Sequence, residues 1–146
     1  MLFAALGGRG CDDGRVTSPT RCPCLSGELY DECCGRYQRG EASAPTAERL
    51  MRSRFSAFAV GDADYLLATW HPSTRPDSLE LDDGLRWYRL DIHRTEAGGL
   101  GDDAGIVEFT AYFKPRPGAD VAAGSQHEVS RFARVDGRWR YLDAVG

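Results

Sequence analysis

From Thr46 to Val60 the apolar residues recur at helical spacing: Ala47, Leu50, Met51, Phe55 and Phe58 fall on one stripe, with Arg49, Arg52, Ser53 and Ser56 largely on the opposite side. Thr46 stands where an N-cap is wanted, Glu48 favours the positive end of the helix dipole, and Gly61 closes the helix. Asp62 opens a shorter helix through Trp70, stopped by His71-Pro72. Beyond residue 84 the period changes from helical to alternating and predicts strands over 85–95, 105–114, 125–135 and 138–145. Asp136-Gly137, between the last two, is a two-residue hairpin signal. Helices followed by a run of strands argue for an α+β body whose antiparallel sheet packs one face on the helices.

The N-terminal third lacks such periods. Residues 1–19 are Gly-rich and patternless, the mark of a disordered tail. Ser26 can cap about two helical turns ending near Cys34, with Gly35 as a left-handed stop. Residues 38–45 read as a polar linker. No run approaches the eighteen or so apolar residues of a membrane span. The opening MLFAALGGRG has no basic residue before its apolar stretch, and CDDG offers no small-residue cleavage site. The expectation is therefore no secretory signal and a cytoplasmic location.

Composition sharpens this. With 42% hydrophobic and 27% charged residues in 146, the chain can build one core but hardly two independent ones. Its net charge of −4 lacks the footprint of a phosphate-tracking protein, which argues against nucleic acid. All five cysteines fall in the first quarter, four of them at 22, 24, 33 and 34. A disulfide scaffold spreads its cysteines, and adjacent cysteines close too small a ring for relaxed geometry. Metal ligation suits the pattern better than stray buried thiols. Thiolates are soft ligands matched to zinc, and two clips joined by one short loop can close a tetrahedron with no position left for water. Cys22, Cys24, Cys33 and Cys34 are thus the expected ligands of one structural zinc ion, with Cys11 a free thiol. Amides near Ser26 and Gly27, with Arg21 and Arg36, are candidates to offset the sulfur charge.

The stretch CPCLSGELYDECCGRY resembles the SEC-C motif, the zinc tail at the C-terminus of the SecA translocation motor. With RYQRGEASAPTAERLMRSRFSAFAVGDADYLLATWHPSTRP behind it, the chain is similar to the YchJ-like family of uncharacterised bacterial proteins. That resemblance covers residues 20 to 145. It implies a tail over 1–19, a zinc knuckle over 20–38 and, over 45–146, a cone-shaped body similar to nuclear transport factor 2 and the cystatins. It implies zinc at the same four cysteines. Position 25, usually glycine in this motif, is Leu25 here, so that turn must avoid a left-handed conformation or bear strain. No cysteine follows Cys34, so one zinc is the ceiling.

In the body, Arg54 lies near the middle of the apolar stripe, where a guanidinium needs a carboxylate or a wet pocket. Val107, Phe109, Ala111 and Phe113 alternate with Ile106, Glu108, Thr110 and Tyr112, and Glu128 shares a face with Ser130 and Phe132. We expect Arg54 to pair with Glu128 or Glu108 beside Ser130, either as a structural ion pair or as a ligand anchor. The candidate pocket lining is Arg54, Tyr65, Trp87, Glu108, Glu128 and Ser130. His71, His93 and His127 lack metal-pair spacing, and Trp87, Trp139, Tyr141 and Phe132 read as core. No G-x-S-x-G, phosphate loop or dinucleotide fingerprint is present.

The leading functional reading is a zinc-binding protein-interaction module rather than an enzyme. The resemblance to the SecA tail, which docks an export chaperone, motivates a protein partner at the knuckle. The rival is a small-molecule or enzymatic pocket in the cone. A weaker alternative is nucleic-acid contact through Arg21, Arg36 and Arg39.

Overall fold

A computed structural model describes residues 20–145. The expected tail and Cys11 lie outside them. A one-turn 3-10 helix, Tyr30–Glu32, leads into α1 (Cys34–Gln38), followed by α2 (Ala47–Val60), α3 (Ala63–Ala68), and strands β1 (Leu85–Ala97), β2 (Ala104–Pro115), β3 (Gly124–Val135) and β4 (Arg138–Ala144). The strands form one open antiparallel meander in the order β1-β2-β3-β4.

Local chemistry sets the element ends. The Thr46 side chain accepts from Arg49 N at 3.1 Å, and Asp62 accepts from Tyr65 N at 3.1 Å, each satisfying a first-turn amide. Gly61 takes φ +80° and stops α2. Asp136 and Gly137 both adopt positive φ, +53° and +79°, the twist that a two-residue hairpin requires. Register shifts in β1 between Trp87 and Arg89 and between Ile92 and Arg94 bend that long strand around the helices.

α2 packs on one face of the sheet. Leu50, Met51 and Phe55 pack with Leu90, Val107, Phe109, Phe132 and Trp139. Ala47 N donates to Gly98 O at 2.9 Å, and Gly98 and Gly105 touch so closely that a Cβ on Gly105 would meet Gly98 Cα at 2.5 Å. Two glycines in close contact thus let the β1–β2 corner accept the start of α2.

Two local expectations are corrected. Residues 26–34 do not form a two-turn helix: an antiparallel bridge pairs Arg21 with Leu29, Cys22 N donates to Glu28 O, and only Tyr30–Glu32 is helical before α1. Gly35 is not a left-handed stop but lies inside α1, where a Cβ would come within 2.7 Å of Tyr30 O. Its smallness serves a close approach instead.

Candidate metal centre and core cavity

The turn from Cys22 to Leu25 closes through Leu25 N to Cys22 O, 3.1 Å, with Leu25 at φ +66° and 54% exposed. The strain that the missing glycine implies is therefore present. This turn presents Cys22 and Cys24 toward Cys33 and Cys34, at the start of α1. The four sulfurs lie within 4.8 Å of one another and all four residues are buried. Cys24 Sγ is 3.7 Å from Cys33 Sγ, and Cys33 Sγ is 3.9 Å from Cys34 Sγ. These gaps are far beyond a disulfide bond. They match the edge of a tetrahedron with metal–sulfur bonds of about 2.3 Å, which is roughly 3.8 Å. The donor set and its spacing suit metal binding.

Without a cation the sulfurs compete for negative charge. S–H donation from Cys24 and then Cys34 holds Cys22 far below the ordinary thiol range, whereas donation to Cys22 pushes Cys24 and Cys34 upward. A bound divalent ion lets all four be thiolates, so metal uptake displaces protons.

The groups that steady the sulfurs come mostly from α2. Ser56 Oγ lies 3.4 Å from Cys22 Sγ, Arg49 Nη1 donates to Cys33 Sγ at 3.6 Å, and Arg52 Nη1 donates to Cys24 O at 2.8 Å. Ser26 Oγ adds a contact to Cys33 Sγ at 3.2 Å. Arg21 and Arg36 turn elsewhere, to Gly27 O and Tyr37 Oη. Arg49, Arg52 and Ser56 share one helical face through their i, i+3, i+7 spacing, the signal that could have identified them. Ser53 and Ser56, placed largely opposite the apolar stripe, are fully buried, Ser56 against Cys22 of the knuckle and Ser53 against the Tyr65 hydroxyl of α3.

On its other side α2 borders a cavity of about 160 Å³, walled by Met51, Phe55, Phe58, Trp87 and Phe109. Arg54, Trp70, Ala111, Tyr141, Gln126 and Glu128 complete the lining. Arg54 is only 3% exposed, yet neither expected carboxylate pairs with it. Its Nη1 donates to Leu66 O at 2.8 Å and Thr69 Oγ1 at 2.7 Å, and its guanidinium stacks over Tyr141 (4.7 Å) and Trp70 (5.2 Å). A weakly hydrated planar cation is compensated by carbonyl dipoles and ring faces where an ammonium would not be. Burial lowers its pKa to about 10, so it stays cationic at neutral pH.

Glu128 accepts instead from Ser130 Oγ at 3.0 Å and from Gln126 Nε2. Glu108 lies on the outer face of the sheet, with His127 Nε2 at 2.8 Å and Arg94 Nε at 3.2 Å. Strand alternation dictates this, since Glu108 neighbours the core residues Val107 and Phe109. Tyr65 lines a separate hollow with Asp62, Thr69 and Arg140, its hydroxyl 2.7 Å from Ser53 Oγ. Of the candidate lining, the structure thus gathers Arg54, Trp87 and Glu128 at the cavity, sets Ser130 behind Glu128, and excludes Tyr65 and Glu108. The expectation missed Trp70 and Tyr141, whose rings flank Arg54. Among the histidines, His71 Nδ1 accepts from Ser73 N and His93 Nε2 meets Thr110 Oγ1.

Comparison with known proteins follows the same division. Residues 46–144 match the model of the YchJ middle NTF2-like domain, and residues 20–36 match the SEC-C motif. A UPF0225 protein of Corynebacterium efficiens is 54% identical over 121 residues, 83% of this chain and 89% of that one. A UPF0225 protein of Streptomyces coelicolor is 52% identical over 122 residues, 84% of this chain and 92% of that one. The solution structure of a SEC-C motif containing protein from Rhodopseudomonas palustris superposes with a TM-score of 0.72 at 34% identity, covering 86% of this chain and 97% of that one. A crystal structure of a SEC-C motif containing protein from Psychrobacter arcticus gives 0.66 at 29% identity, covering 84% and 80%.

Proposed function

This chain belongs to the YchJ-like family of UPF0225 proteins, and from that premise we propose that it is a zinc-dependent protein-interaction module. The observation that carries the reading is the buried set of four sulfurs within 4.8 Å of one another, steadied by Arg49 and Ser56 of α2. Zinc is the ion that such a thiolate set favours, and four protein ligands leave it no open position for catalysis. Its work is to order the knuckle against the body. What the ordered knuckle presents is Leu25, an apolar side chain held outward on a left-handed backbone. Strain combined with exposure is a cost that a docking contact would explain. The resemblance to the SecA tail supports the same direction.

A photo-crosslinking residue placed at position 25, with a control at the exposed Leu100 (75%), tests this in cells. Discrete adducts from position 25 that vanish in the Cys33→Ser/Cys34→Ser variant are expected. No adducts, or the same adducts from both positions, would contradict the interaction reading.

A further inference from the structure

The wall of the cavity beside α2 is mostly aromatic, and two of its residues, Arg54 and Trp70, carry donors with unusual surroundings. Arg54 commits only Nη1 to hydrogen bonds among the described residues, although it is almost fully buried. Trp70 keeps its indole N–H buried with no acceptor. An unsatisfied buried donor costs on the order of 1–3 kcal/mol, and a buried charge more. Both residues line the same cavity. An almost fully buried guanidinium with Nε and Nη2 uncommitted, beside one apolar space, is a binding pattern rather than a packing one.

We propose that this cavity binds a small organic monoacid, its carboxylate on the Arg54 guanidinium and its body among Phe58, Trp87 and Phe109, beside Trp70. A volume of about 160 Å³ sets the size. An engineered apolar cavity of about 150 Å³ takes one benzene, so a single ring or a branched chain of similar bulk fits. The sign of the charge follows from placement. Glu128 is the one acid in the lining, and its carboxylate accepts from Ser130 and from the exposed Gln126. That carboxylate is half-buried and is felt by Arg54, but the guanidinium lies deeper in the interior, where its charge is least screened. Glu128 then disfavours a second negative charge on the ligand. This inference is independent of the metal centre.

The test titrates zinc-loaded, 15N-labelled full-length protein with benzoate, and with benzamide as the neutral isostere. The Trp70 indole resonance, assigned with Trp70→Phe, is the readout. Benzoate is expected to shift it saturably and to bind at least about fivefold more tightly than benzamide, because charge-assisted hydrogen bonds are the stronger kind. Arg54→Gln should abolish that preference. If Arg54→Gln does not fold, Glu128→Gln decides: it should tighten benzoate several-fold and leave benzamide unchanged. A Trp70 shift that does not saturate, equal affinity for the two probes, or no response of benzoate to Glu128→Gln would overturn the proposal.

Discussion

Leu25 and Arg54 occupy positions that their side chains fit least well, for opposite reasons. Leu25 adopts φ +66° in the turn that aims Cys22 and Cys24, with its side chain in solvent. A left-handed backbone costs an L-residue roughly 1–2 kcal/mol, and little packing offsets it here. Leu25→Gly should therefore raise stability by about 1 kcal/mol in reversible denaturation, while removing the crosslinking surface. Arg54 shows how a buried cation persists without an acid, through carbonyls and rings that an i+3/i+4 stripe does not reveal. The surface carboxylates behave conventionally. Arg89, His127 and Arg131 hold Asp91, Glu108 and Asp143 below their ordinary values. Depressed carboxylates contribute stability that is present above their unfolded pKa and lost as pH falls through the folded one. Denaturation midpoints should decline below about pH 4, and more shallowly in Asp143→Asn, which separates this loss from acid release of the metal.

At the level of elements, α2 serves two partners at once. Its apolar stripe lies on the sheet, and its Arg49–Arg52–Ser56 face receives the knuckle. Removing either sulfur donor should weaken the metal without unfolding the body. Arg49→Ala or Ser56→Ala is expected to cost about tenfold in zinc affinity, measured by competition with a chromophoric chelator. At the β1–β2 corner, Gly105→Ala would drive a Cβ into Gly98 and should cost about 1–3 kcal/mol in thermal or denaturant unfolding. Much of this layer was legible in the sequence. Thr46, Asp62, Gly61 and Asp136-Gly137 act locally, so their chemistry reads directly from order. The buried serines of α2 did not, because a polar helix face looks solvated unless one knows that a cysteine cluster returns to cover Ser56 and that Tyr65 of α3 folds back on Ser53. Glu108 was readable: its own alternation with Val107 and Phe109 already placed it outside. The misplaced helix over 26–34 has a different cause, since sulfur positions and the Arg21–Leu29 bridge override the propensity of so short a segment.

Across the described residues, a sheet-and-helix body with its own apolar core carries a knuckle whose buried cluster is four cysteines, with the partly buried Tyr30 packed against them. Such a segment is too small to order itself by burial, and metal binding supplies the difference. Chelation under reducing conditions should thus lower the unfolding temperature and release the knuckle, while the strand signal in far-ultraviolet circular dichroism persists. Loss of that signal together with the metal would mean that body and knuckle fold as one unit. The most direct measurement is X-ray absorption at the zinc edge on reduced protein containing one zinc per chain. Four sulfur scatterers at about 2.3 Å are expected. A shell containing oxygen or nitrogen in place of sulfur, or protein that retains no stoichiometric zinc, would contradict the account.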